Sequence, residues 1–206
     1  MPASARRRAL GPFQWVEFKS QLKSAPPLIV LQRAGFFLAD TQQDYRIALK
    51  PEMAGPGSRA LQVRFADERP FELHVGDFAS FAHERFHHLP GCTDERINDR
   101  YAEWARSLIR DHPETCVRVV ADGTTQGWFL SRPAAKGLNL ALGMLHREAK
   151  IFGFHLYEKA FAAYAAKGHR IGWASFSVTN TPAYNIYAKL GARFDSPTGI
   201  WLWVAE

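Results

Sequence analysis

The sequence predicts an α/β (α+β) fold in which a mixed, mostly antiparallel central sheet is flanked by helices. Three observations predict it. The stretch from Leu138 to Phe194 reads as strand, turn, helix, strand, helix. A β-hairpin precedes it, with Asp122-Gly123 as the turn signal between two apolar runs. Hydrophobic residues make up 47% of the 206, a composition that builds a buried core and excludes a disordered chain.

The elements follow in chain order. Met1 to Gly11 carries Arg6-Arg7-Arg8 with no apolar run behind it, so it reads as a frayed tail and not a secretory signal. Phe13 to Lys23 has the apolar spacing of a short amphipathic helix. Pro27 opens a second helix, which runs to Ala34 and ends at Gly35. Phe36 to Thr41 and Tyr45 to Leu49 are strand material. Pro51 to Ser58 clusters Pro and Gly with few apolar residues, and the domain boundary is placed there. This gives a small N-terminal half-domain with tail and linker, 1–58, and a main domain, 59–206. Leu61 to Phe65 and Phe71 to Val75 read as short strands. Asp77 to His88 and Thr93 to Arg110 read as helices. In the second, Thr93 caps, and Ile97, Tyr101, Trp104 and Leu108 share a face.

Cys116 to Ala121 and Gln126 to Ser131 are the arms of the hairpin. Leu138 to Leu145 is dense enough in apolar residues for a buried strand, and the turn His146 to Lys150 follows. Gly153 opens a helix with Leu156, Ala160, Ala163 and Tyr164 on one face, and Gly168 stops it. After the strand Trp173 to Val178, Thr181 caps a last helix with Pro182 in its first turn; Gly191 ends it. Ile200 to Val204 is the final strand, with Trp201 and Trp203 packing on one face.

Net charge +6 and a pI near 9.5 suit an anionic ligand. Nucleic acid is a third possibility on charge alone. It predicts steep salt dependence, but no motif supports it, and Arg6-Arg7-Arg8 localises part of the excess. No run approaches the roughly 20 apolar residues of a membrane span. Cys92 and Cys116 have neither a metal nor a disulfide spacing, which points to free thiols in a reducing cytoplasm.

The segment Val178 to Phe194 resembles the C-terminal signature of the GCN5-related N-acetyltransferases (GNAT). A strand ends in Asn180, a helix carries Tyr187 seven residues on, and Leu190-Gly191 leads to Phe194. Upstream, the family's pyrophosphate loop, Gln/Arg-x-x-Gly-x-Gly/Ala, matches Lys150, Gly153 and His155, with Leu145 closing the strand before it. His155 departs from the pattern; an imidazole there either crowds a pyrophosphate or hydrogen-bonds it. Taken by itself, Gly153 is equally an ordinary strand-to-helix turn.

The resemblance implies acetyl-CoA as co-substrate, no metal, and direct acyl transfer to an amine. It implies that Leu145 offers its backbone N–H to the oxyanion. Lys150, Phe152, Gly153, Phe154 and His155 hold the pyrophosphate, Asn180 bonds the pantetheine arm, and Tyr187 donates to the leaving thiolate. Against these stand plain readings: Tyr187 as a packing aromatic and Asn180 as a helix-flanking residue. The helices expected at 77–110 and the half-domain resemble the TDP-fucosamine acetyltransferase branch. That makes a nucleotide-linked amino sugar the first choice of acceptor, with amino acids and polyamines open. His83 and His87 become substrate-site residues, His88 beside them; the plain reading is surface histidines, and no ligand spacing supports a metal. No base stands out among Glu148, His146, His83 and His87. The partner is a small-molecule amine, not nucleic acid or membrane, and a homodimer is open. The alternative function is a non-catalytic acyl-CoA-binding or sensor module on the same scaffold.

Overall fold

Among the described residues, 14–81 and 83–205 of a computed structural model, nine strands form one sheet. The expected tail, Met1 to Gly11, lies outside them. The elements are β1 (Trp15–Gln21), α1 (Leu28–Arg33), β2 (Phe37–Ala48), β3 (Gln62–Phe65), α2 (Asp94–Asp111), β4 (Cys116–Ala121) and β5 (Thr124–Ala134). They continue with β6 (Gly137–Leu145), α3 (Gly153–Ala166), β7 (Ile171–Ser177), α4 (Thr181–Lys189), β8 (Arg193–Phe194) and β9 (Thr198–Val204). Strand order is β1-β9-β2-β7-β6-β5-β4-β3, with β8 also on β2. Among the described residues only β6 and β7 pair in parallel. The sheet is therefore mixed and mostly antiparallel, as the sequence predicts.

Local chemistry fixes many of the ends. Asp122 and Gly123 take φ of 48° and 79°, the turn whose twist matches an antiparallel pair. Gly168 sits at φ 93° past α3. There Gly168 N–H donates to Ala165 O at 3.0 Å and His169 N–H to Tyr164 O at 3.1 Å, which satisfies the last carbonyls.

Four expectations change. Trp15 to Gln21 is a strand, not a helix: its apolar residues also suit a half-buried strand, and pairing with β9 decides between them. Phe71 to Val75 forms no strand. Among the described residues from 75 to 88 there is no α-helix, only two 3-10 turns, Val75–Asp77 and Arg85–His88; Phe78 packs into the Trp128 cluster while Phe86 packs on Trp15 of β1. The cap of α4 is Asn180, whose Oδ1 accepts from Ala183 N–H at 3.1 Å; Thr181 is already helical.

The sheet buries both faces. On one, α3 and α4 pack Phe161, Tyr164 and Tyr187 against Tyr45, Val117, Phe129 and Leu138. On the other, α2 and residues 71–78 pack Ala105, Leu108 and Phe78 against Trp128, Leu130 and Met144. Phe129 is fully buried, edge-on to Tyr157 at 5.0 Å and Phe161 at 5.1 Å. Phe129→Ala is expected to cost about 3–5 kcal/mol through lost transfer energy and an uncollapsed cavity. Chemical denaturation measures it.

The unit β1–α1–β2 repeats β7–α4–β9. Trp15, Gln21, Gly35, Gln42 and Ala48 stand in the first where Ile171, Ser177, Gly191, Thr198 and Val204 stand in the second, at one constant offset. Pairing obeys the same relation. Trp15 faces Val204 and Gln21 faces Thr198, while Ile171 faces Ala48 and Ser177 faces Gln42. The equivalent residues Gln42 and Thr198 face each other, so a pseudo-two-fold axis passes between them. The flanking loops repeat too: Leu22 N–H donates to Pro197 O at 2.9 Å and Val178 N–H to Thr41 O at 2.8 Å. Each repeat pairs its last strand with the other's first. Strand β2, expected in a half-domain, thus lies inside the sheet between β9 and β7. Among the described residues no helix is long and apolar enough to cross a membrane.

Candidate active site

The parallel pair β6–β7 is joined only at Leu138–Gly172 and Asn139–Trp173. Beyond Asn139 the two strands part. The cause lies in β6. Its register on β5 shifts between Leu130 and Arg132, so Leu140 and Ala141 together oppose Ser131. Such a bulge bends its strand and exchanges its faces. Leu138 and Leu140 accordingly pack under α3, whereas Leu142 and Met144 pack on the opposite face. Leu145 closes β6. It opposes Gly127, and the neighbouring bond, His146 N–H to Gln126 O at 2.9 Å, makes this a non-hydrogen-bonded pair. The Leu145 N–H therefore points away from β5, toward the open side of the notch.

At the mouth of the notch the chain turns into α3. The turn is held by Lys150 N–H donating to Oε1 of the buried Gln126 at 2.8 Å, and by Arg147 N–H donating to Asp77 O at 2.7 Å. No side chain caps α3, whose N-cap is the exposed Phe152. A Cβ on Gly153 would lie 3.4 Å from Ile186 Cδ1 and 3.8 Å from Leu145 Cδ1. The helix start, the end of β6 and α4 therefore converge. Lys189 Nζ lies 4.2 Å over the Phe154 ring, placing a cation at the first turn of α3. His155 does not crowd this end. Its Nδ1 bonds Glu158 Oε2 at 2.9 Å and its ring rests on Gly57.

Tyr187 is buried among aromatics, 4.0 Å from the Tyr45 ring, 5.3 Å from Tyr157 and 5.3 Å from Phe176. Burial first, and the neighbouring phenols second, push its pKa well above the ordinary tyrosine value. It stays protonated. The Tyr45 hydroxyl is buried against that of Tyr187, close enough to interact with it but outside the geometry of a well-formed hydrogen bond. Asn180 spends its Oδ1 on the α4 cap.

A cavity of about 610 Å³ opens beside the end of β7. His83, His87 and His88 line it together with Asp40 and Ser177. The segment 77–88 crosses the notch. It bridges at Phe78 to His146 on the β6 side, and His83 Nδ1 meets Thr179 Oγ1 at 3.2 Å on the β7 side. Arg85 anchors its far end to Glu17 of β1 at 2.5 Å. His87 is occupied, its Nε2 against Phe81 O at 3.1 Å and its Nδ1 3.5 Å from Asp94. Among the described residues no group of three or more His, Cys, Asp or Glu is placed to hold a metal. Burial pushes the Cys116 thiol up to about 12.

No family model matches the chain. No curated protein matches it. Solved structures do. A GCN5-related N-acetyltransferase from Sphaerobacter thermophilus is similar with a TM-score of 0.60 and 18% identity, covering 92% of this chain; the chain spans 59% of its length. A tandem GNAT protein from the clavulanic acid biosynthesis pathway, solved without acetyl-CoA, gives 0.57 and 15%, covering 99% of this chain and 68% of its own. A protein of unknown function from Staphylococcus epidermidis gives 0.64 and 12%, covering 98% and 77%. The chain has the GNAT fold.

Within this GNAT fold, three expected positions meet at the notch: Leu145, the Lys150–Gly153 turn and α4. His83 lines the cavity at the end of β7, whose lining ends at Thr179, and Asn180 follows as the cap of α4. His155 stands aside. Sequence reasoning missed Gln126, Lys189 and Asp40. Gln126 carried a signal, a lone amide before the apolar run Gly127 to Leu130. Asp40, an acid after Phe36 to Ala39, carried another. Lys189 had none, since only the packing of α4 beside α3 brings it to Phe154.

Proposed function

We propose that the protein is a cytoplasmic, acetyl-CoA-dependent N-acetyltransferase acting on a primary amine of a small molecule. The notch carries this reading: β6 leaves β7 after Asn139, with the Leu145 N–H turned into the gap and the uncapped α3 at its mouth. Acetyl-CoA, when bound, supplies an acyl thioester and a pyrophosphate. Two features of the chain fit it. The first turn of α3, with Lys150 and Lys189, offers backbone donors and positive charge for phosphate. The phenols of Tyr45, Tyr157 and Tyr187 gather beneath α4, which places hydroxyl donors in an otherwise apolar cluster. In this reading Leu145 N–H stabilises the oxyanion and Tyr187 donates to the sulfur.

The acceptor enters the cavity beside His83. Nucleotide-linked amino sugars come first in a screen, then polyamines and amino acids. The sugar preference rests on the resemblance of Thr93 to Arg110 and of residues 1–58, since residues 77–88 do not form the expected helix. The non-catalytic reading drew on His155, and with that imidazole on Glu158 no observation favours it.

Calorimetric titration tests the cofactor site. Saturable acetyl-CoA binding is expected, weakened at least about tenfold, or 1.4 kcal/mol, in Gly153→Val. A branched side chain there crowds the approach between Leu145 and Ile186. Unchanged affinity in the variant removes the turn from phosphate binding; no saturable binding by the parent chain ends the reading.

A further inference from the structure

The geometry points to Nε2 of His83 as the base that takes the proton from the acceptor ammonium, held by a relay through Thr179 and Ser177 to Asp40. For the acceptor this rests on the transferase reading; for the imidazole it rests on the hydrogen bonds alone.

The polarity of the relay follows from counting protons. Ser177 Oγ donates to Asp40 Oδ1 at 2.6 Å, and a carboxylate only accepts. That uses the one proton of Ser177. The Ser177 and Thr179 hydroxyl oxygens are 2.8 Å apart, a separation that needs a proton between them. It must come from Thr179. Thr179 Oγ1 is then left as the acceptor toward His83 Nδ1 at 3.2 Å, so Nδ1 carries the ring hydrogen. The second nitrogen, Nε2, keeps its lone pair and has no partner among the described residues. His83 lines the cavity and is exposed. Which nitrogen of an imidazole acts as base is set by the bond the other one makes.

The ends of the relay are built in. The register of β2 on β9 shifts between Leu38 and Asp40, leaving Ala39 as an extra residue. Bulges re-aim side chains beside active sites, and this one brings Asp40 to the cavity beyond the β2–β7 ladder. Asp40 makes no ion pair among the described residues. The other titratable groups around the cavity are Glu84, Arg85, His87 and His88. Of these, Glu84 and Arg85 are paired with each other, and Glu84 also accepts from Tyr101.

The step balances. An N–H bond of the ammonium breaks and its proton goes to His83 Nε2, leaving a neutral amine with a lone pair. That pair forms the N–C bond to the acyl carbon as the C–S bond breaks, and the sulfur keeps the bonding electrons; the nitrogen then sheds its second proton to give the neutral amide, and the departing sulfur takes up one proton from the Tyr187 hydroxyl, which is restored from solvent. The imidazolium, its Nδ1–H directed along the relay toward Asp40, releases its proton to solvent.

Long-range 1H–15N correlation spectra of the full chain test the relay without an acceptor, with the His83 signals assigned by their loss in His83→Gln. The expected neutral form is Nδ1-protonated, reverting to Nε2-protonated in Thr179→Val. An Nε2-protonated ring in the parent chain overturns the inference. Turnover tests the base: CoA release from acetyl-CoA with a panel of amino sugars, polyamines and amino acids. His83→Gln is expected to lower kcat about 100-fold and to leave calorimetric acetyl-CoA affinity unchanged. Equal kcat in His83→Gln overturns the base alone. No CoA release with any amine, although acetyl-CoA binds, overturns the transferase reading and the base with it.

Discussion

A chain that begins at Arg59 is expected to fail to fold. It would lose β2, which pairs β7, β8 and β9. It would also lose Tyr45, Ile47 and Leu49, which are 3%, 2% and 2% exposed. Burying side chains of this kind contributes about 1.5–3 kcal/mol each. Three of them reach the order of the whole stability of a domain, about 5–15 kcal/mol, before any ladder hydrogen bond is counted. What remains would present β7 as an open edge carrying Trp173 and Phe176, an invitation to aggregate. Far-UV circular dichroism and gel filtration of residues 59–206 check this. A monomeric fragment with native strand signal would mean that 1–58 is a separable appendage, which the position of β2 argues against. The repeat explains why an early segment matters to a late site. Strand β2 closes the side of β7 that β6 does not, and it lends Asp40 to the cavity.

Features governed by neighbours in sequence were legible before the fold was known. Gly35, Gly168 and Gly191 mark helix ends because a left-handed residue is needed there. Asp122-Gly123 marks the hairpin for a similar reason. Thr93 caps α2 as its sequence position predicts, whereas at α4 the cap is Asn180, one residue before the expected Thr181. What long-range pairing decides was not legible. Trp15, Val16 and Phe18 suit a helix or a strand until β9 arrives. The bulges at Leu140–Ala141 and Ala39 leave no local signature, although one opens the notch and the other aims Asp40. The site shows the same division. Motif spacing points to the Lys150–Gly153 turn and Tyr187 of the proposed site. The relay joins residues from three separate segments, and no spacing records it.

Tyr187→Phe is expected to lower turnover by about 10- to 100-fold while leaving acetyl-CoA affinity unchanged. Proton donation in general is worth about 100- to 10,000-fold, and the low end of that range is the most to be expected here. The reason to expect less is the environment of the phenol. Burial drives its pKa well above the ordinary value, and a thiol titrates near 8.5. Complete transfer to the departing sulfur is therefore uphill, and the hydroxyl acts mainly as a hydrogen-bond donor to growing charge. Stability should change little, within about 1 kcal/mol, because only an oxygen is removed from an aromatic cluster. Alkaline unfolding gives a second readout. In the unfolded chain tyrosines ionise near pH 10, while in the folded chain Tyr45, Tyr157 and Tyr187 stay protonated, Tyr157 up to about 12. The folded state then holds more protons, so stability falls as pH rises above about 10. Tyr187→Phe removes one such group, and its stability should fall less steeply there than that of the parent. A parallel decline would mean that Tyr187 ionises as freely in the folded chain as in the unfolded one. Unchanged turnover would leave the phenol as packing under α4, with the sulfur's proton supplied from elsewhere.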